Sequence, residues 1–255
     1  MNLSVSNFEF FLLVLVRISG FIYTAPIFSQ RTIPQKVKVG LSFFISILIF
    51  NTITINEIVY GGVIGFAILI LQEALAGVIM GYSTNLAYYI LSFVGKMIDT
   101  GIGFAMANIM DPITKTQTTI TANFYGYIIF LMMLITDLHH YFIMGIIDSF
   151  QIIPIGKVNI KPEAYNLVLD FVVDYFIIGF RIIIPIIASI LIVNTILAIL
   201  AKVAPQMNLF AVGIQIKVLI GLMILVFMIG FVPSVADFIF NEMIDMLKNS
   251  LKYLA

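Results

Sequence analysis

Long apolar runs broken by a proline, a glycine or a charge constrain this chain more than any other feature. Residues 167–201 contain Asp170, Asp174, Arg181, Pro185 and Asn194. Residues 124–150 contain Asp137, His139 and His140, and residues 8–28 contain Arg17, Gly20 and Pro26. A lone helix surrounded by lipid disfavours such groups, because an ionised side chain at mid-bilayer costs about 3 kcal/mol or more. Helices packed against other protein, or lining a wet path, tolerate them. The pattern therefore points to a subunit of a larger membrane assembly.

Composition agrees. Of 255 residues, 62% are hydrophobic and 10% charged, whereas soluble domains lie nearer ~45–50% and ~25%. Runs of that length and apolarity predict an all-α polytopic membrane protein. A formal net charge of zero gives no case for nucleic acid. The absence of cysteine excludes a disulfide framework and a thiolate metal site. His139 and His140 are adjacent, so on a helix they diverge by about 100° and are expected to hold no common metal. No basic residue precedes Phe8, and Arg17 falls where a signal peptide has its apolar core, so the first segment is expected to stay.

The pattern predicts helices over residues 7–28, 39–55 and 61–82, the last continuing as an amphipathic stretch to Asp99. Residues 101–110 read as an apolar loop. Asp111-Pro112 reads as a helix start, with that helix running to Phe150. Residues 151–162 form a connector. Residues 167–201 are one broken helix or two short ones. A hinge at residues 202–208 leads to a last helix over 209–247, which Val232-Pro233 should kink or end. Gly77 and Gly81 form a small-xxx-small pair suited to close backbone approach. The connector with Arg31, Lys36 and Lys38 is the best cytoplasmic candidate. Counting crossings from it leaves Lys157, Lys161, Lys248 and Lys252 on the other side, a poor charge bias.

No nucleotide-binding, hydrolase or metalloprotease signature is present, so no enzyme activity, catalytic residue or cofactor is expected. Four places carry the functional reading. The hinge Lys202 to Asn208, with Pro205, Gln206 and Met207, joins two apolar helices as a hairpin. It is a tight turn or a protruding tip whose Gln206 and Asn208 meet a partner. Asp137, His140, Tyr141 and Asp148 fall on one helical face, as buried hydrogen bonds between helices or a proton-responsive path. Arg181 is too far from Asp170 and Asp174 for an i,i+4 pair, so its partner is expected on another helix or chain, and Arg17 invites the same argument. Gly101 and Gly103 free the backbone, while Phe104, Met106, Ile109 and Met110 are bulky and apolar. Residues 101–110 are thus an ordinary buried connector or a flap that seals a pore yet yields to a passing chain.

Ordered signatures run the length of the chain: Arg17-x-Ser19-Gly20, Pro26, Pro34 and Val37-Lys38, then Gly77-x-x-x-Gly81, Gly95, Gly103 and Asp111-Pro112. His139, Asp148-x-Phe150 and Pro154-Ile155-Gly156 follow. Pro185, Asn194, Ala204-Pro205-Gln206-Met207-Asn208, Phe210, Gly213, Lys217 and Gly221 close the series. In their order and spacing the chain resembles the FliR family of the bacterial flagellar type III export gate, whose virulence-system counterparts form the SctT group. Lys96, Lys202, Met106 and Ile109 depart from the common pattern of that family.

The resemblance implies an all-helical protein with a FliP-like part (residues 1–162) and a FliQ-like hairpin (163–255). It implies a ring closed with FliP-like and FliQ-like subunits in the bacterial inner membrane, at the flagellar basal body. The loop at 101–110 would help plug the pore, and the hairpin tip would face the cytoplasm near FlhB-like and FlhA-like proteins. Unfolded flagellar subunits would pass through. Arg17, Asp137, His139, Asp148 and Arg181 are the expected polar contacts between subunits. Two other readings stay open at this point: an injectisome gate subunit, and a small-solute secondary transporter, for which two related halves would be expected.

Overall fold

The computed structural model describes residues 5–30, 32–53, 58, 60–104, 119–159, 161–162, 164–206 and 209–255, except for the side chains of Leu167, Leu209, Phe210 and Ala211. Among these the chain is helical and contains no strand. The elements are α1 (Val5–Thr24), α2 (Gln35–Phe50), α3 (Gly62–Ile102), α4 (Ile120–Ile135), α5 (Leu138–Ile152), α6 (Ala164–Val203), α7 (Leu209–Met228), a 3-10 turn (Ile229–Phe231) and α8 (Val232–Leu254). Four helices are long and apolar enough to cross a membrane, or up to five if α4 and α5 count as one bent span. α3 and α6, of 41 and 40 residues, each rise about 60 Å, twice the ~30 Å hydrocarbon core.

The chain divides into two compact units. The first comprises residues 1–88, 134–172 and 240–255. Its centre is α1, which buries Phe10, Leu13, Val14, Arg17, Ile18, Phe21 and Ile22, the i, i+3, i+4 stripe of a packed helix. α2 joins it edge-to-face, with Phe11 between Phe43 and Phe50. Ser42 and Ser46 of α2 are buried, and each hydroxyl donates to the carbonyl one turn back, Lys38 and Ser42 respectively. On its other side α1 meets the first half of α3 backbone to backbone. A Cβ at Gly77 would collide with the Arg17 carbonyl, and one at Gly81 with Thr24 Oγ1. In α8, Phe240, Met243, Met246, Leu247, Leu251 and Leu254 are buried, whereas Asp245, Lys248 and Lys252 are exposed.

The second unit comprises residues 89–133 and 173–239. An isoleucine-rich seam holds it: Ile90, Val94, Ile98 and Ile102 of α3 against Ile178, Ile183, Ile186 and Ile190 of α6. Small residues again set the closest approaches, Gly95 against Ala122 and Gly221 against Ile102. Asp99 is 2% exposed and accepts hydrogen bonds from the Thr121 amide and hydroxyl. It thereby caps the free N–H groups of the first turn of α4.

Two expectations change and a third holds. The helix expected to run to Phe150 is broken: α4 and α5 meet at 68°, with Asp137 at φ 56°, a left-handed conformation Asp tolerates better than most side chains. The 167–201 segment belongs to one continuous helix with Pro185 inside it. The expected interruption at Val232-Pro233 is present: α7 ends at Met228, a 3-10 turn follows, and Pro233 lies in the first turn of α8, where no intrahelical acceptor awaits its missing N–H. The proposed start at Asp111-Pro112 lies outside the described residues.

The glycine contacts give a paired prediction. Gly77→Val should lower stability by about 1–3 kcal/mol or more, because backbone rather than a flexible side chain must move. Gly40→Ala in α2, where nothing lies within 4 Å of the added Cβ, should be neutral or stabilise by up to about 1 kcal/mol. Thermal unfolding of the detergent-solubilised protein checks both.

Candidate functional site

Two charged side chains lie at the centre of the first unit. Arg17 and Glu73 are both 0% exposed, with Nε to Oε2 at 2.5 Å. Each is the lone charge of its neighbourhood: only Arg17 falls between Glu9 and Arg31, and only Glu73 between Glu57 and Lys96. Neither could be buried alone, since an unpaired ion in a dry interior costs several kcal/mol. Other polar atoms of the pair are bonded as well, while Arg17 Nη2 has no partner among the described residues. Arg17 Nη1 donates to the carbonyls of Ile153 (2.9 Å) and Ser149 (3.2 Å), and the Phe150 ring lies 4.4 Å from the guanidinium carbon. Glu73 Oε1 accepts the Gly156 amide at 2.8 Å. Gly156 has φ 76°, which glycine adopts without cost. One ion pair thus ties α1, α3, the end of α5 and the turn beyond it.

Two further polar ties surround it. Asn85 Nδ2 of α3 donates to the Thr24 carbonyl and to Ser29 Oγ, and Lys38 Nζ of α2 donates to the Ser29 carbonyl. The turn after α1 is therefore held from both sides. Tyr60 OH donates to Glu9 Oε1 at 2.7 Å, and this bond, with some desolvation, raises the Tyr60 hydroxyl above its ordinary pKa.

The structure places Arg17 inside this chain, bonded to intrachain acceptors, rather than at a surface where another subunit would reach it. Glu73, its counterion, was not among the sequence candidates. The signal was available: two lone charges of opposite sign in separate apolar helices are natural partners. Asp137 and His140 lie at the α4–α5 break with side chains 70% and 61% exposed and 3.4 Å between them. His139 is half-buried, and its ring centroid is 4.1 Å from that of His140. The histidines do not diverge as expected: one ligand atom of each and one of Asp137 lie within 4.8 Å of one another. Asp137 precedes α5, so the expected continuous stripe is reduced to His140, Tyr141 and Asp148, all exposed.

Arg181 is exposed on α6, and no ion pair involves it among the described residues. Gly101 is half-buried against Ile190. Gly103, at φ 100°, ends α3 with its amide on the Asp99 carbonyl, and Phe104 packs on the isoleucine seam. Met106, Ile109 and Met110 lie outside the described residues. Lys202 is exposed in the last turn of α6, and Pro205 and Gln206 form an exposed turn. Met207 and Asn208 also lie outside the described residues.

These features define an all-helical membrane protein whose interior is fixed by charge and whose long helices are open to further packing. The chain belongs to the family described as bacterial export proteins, family 1, which matches residues 8–243. It is similar to the flagellar biosynthetic protein FliR of Bacillus subtilis, 31% identical over 98% of each chain. FliR of Pectobacterium carotovorum is 33% identical over 94% of this chain and 92% of its own, and that of Escherichia coli 25% over 94% and 92%. The protein is a flagellar biosynthesis export protein.

The ion pair sets a test. Arg17→Ala and Glu73→Ala should each destabilise by about 3–5 kcal/mol, since each strands a buried charge. The double variant Arg17→Ala/Glu73→Ala should lose less than the sum of the two single losses, since neither charge is then stranded. Chemical denaturation of the four proteins in detergent measures the coupling, and additive losses would contradict it.

Proposed function

We propose that this chain is a core subunit of the flagellar type III export gate. With FliP-like and FliQ-like subunits it forms the wall of a conduit for unfolded flagellar proteins across the bacterial inner membrane, adjoining FlhB-like and FlhA-like proteins. One observation supports this beyond family membership. In the most apolar stretches of α3 and α6 only 22% of residues are buried, and in the Val212–Leu254 pair 11%. The corresponding stretch of α1, the packed centre of the first unit, buries 39%. These helices are open on several faces, as expected where sister helices supply the missing contacts.

In this reading residues 1–162 act as the FliP-like part and 163–255 as the FliQ-like hairpin. The turn carrying Lys202, Pro205 and Gln206, with Met207 and Asn208, is the tip that meets partners. Asp137, His139 and Asp148 supply polar contacts to neighbouring subunits. Residues 101–110 form the seal: Gly103 frees the backbone at the end of α3, and the apolar side chains that follow close the path to ions. The chain shapes and seals the conduit and carries out no bond-making step itself.

Deleting the gene should abolish secretion of hook and filament proteins, and a plasmid copy should restore it. Normal secretion by the deletion strain would overturn the reading. Removing residues 104–109 should leave an assembled gate that leaks ions or small solutes. Unchanged membrane permeability in a strain that still assembles the gate would remove the seal from this loop.

A further inference from the structure

Arg181 and Pro185 lie one turn apart on α6 and open on the same trough. The cavity measures about 390 Å³, and Met228, Phe231, Ser234 and Phe238 also line it. That volume lies within the ~300–1,000 Å³ range of small-molecule sites, and an apolar wall with a few placed polar groups is their usual chemistry. Arg181 has no counterion among the described residues. Pro185 has no N–H, so the helical bond to the Arg181 carbonyl cannot form. A cation and a free acceptor therefore stand together at one end of an apolar trough.

The position of that cation along α6 decides what it meets. Between Arg181 and Lys202 the 20 residues 182–201 carry no Asp, Glu, Lys or Arg. At 1.5 Å per residue they span about 30 Å, the thickness of the hydrocarbon core. Arg181 thus falls at one boundary of that core, the depth at which lipid phosphates lie, and its long side chain can reach them. We propose that this trough binds one anionic phospholipid. Its phosphate sits on the Arg181 guanidinium, with Ser234 offering a further hydroxyl. An acyl chain lies along Pro185, Met228, Phe231 and Phe238. A phosphate takes several N–H groups of one guanidinium. The inference rests on α6 lying in a membrane and not on the export-gate reading, so each can fail alone.

The test is native mass spectrometry of the full chain, extracted from membranes in mild detergent with whatever partners it carries. It is titrated with phosphatidylglycerol and with phosphatidylcholine of the same acyl chains. One phosphatidylglycerol per chain should bind about fivefold tighter than phosphatidylcholine, because both carry the phosphate but the choline cation of the second offsets its charge. Arg181→Gln should erase that preference, and Arg181→Lys should keep most of it. Val235→Trp, which fills the trough, should abolish both bindings, while Lys248→Gln should change neither. Circular dichroism confirms that each variant is folded. Equal binding of the two lipids by the wild type would overturn the proposal. So would a preserved preference in folded Arg181→Gln, or a crosslink from position 181 to a carboxylate-bearing helix of a partner.

Discussion

A lone arginine in an apolar helix has to be neutralised, and in this chain that requirement organises the first unit. Arg17 finds Glu73 across the α1–α3 contact, and both are sealed from solvent. The pair closes only if the two helices hold one register, and that register brings Gly77 against the Arg17 carbonyl and Gly81 against Thr24. With any side chain at Gly77 the backbones would separate, and the ion pair would lengthen into a region unable to solvate it. Other donors and acceptors of the pair then fix the end of α5 and the turn at Gly156. Charge, small residues and a left-handed glycine are thus parts of one arrangement.

The rest of the molecule inverts the usual logic of a membrane protein. Two buried polar side chains, Asp99 on Thr121 and Asn85 on the turn after α1, find their partners within the chain. Its apolar residues, by contrast, are largely exposed: Ile135 and Phe227 are each 80% accessible. Helices twice as long as a bilayer is thick cannot all be covered by hydrocarbon. Partner helices, in the reading proposed above, and one bound lipid at the Arg181 trough would complete the surface.

Much of this was legible in the sequence. Apolar run length gave the helical membrane class, and the continuation of α3 beyond Tyr82 followed from its amphipathic second half. Gly77 and Gly81 announced a close helix contact. Other features were hidden for physical reasons. Pro185 looked like a break, but one lost hydrogen bond does not end a helix whose two flanking turns are anchored in an isoleucine seam. Asp137 looked like a helical residue, because nothing local distinguishes it from one, yet it takes a left-handed conformation at a 68° bend. Glu73 was overlooked because its meaning lies 56 residues away, in Arg17. The seal residues Met106, Ile109 and Met110 and the tip residues Met207 and Asn208 lie beyond what the structure describes, so their roles rest on the sequence.

The central claim is that this chain completes its apolar surface with other proteins. The most direct measurement is the mass of the particle that carries the tagged chain when native membranes are dissolved in mild detergent. A particle several times heavier than the 28.5 kDa chain, containing other membrane subunits in fixed ratio, is the predicted result. A folded, stable particle holding one copy of this chain and detergent alone would contradict the account.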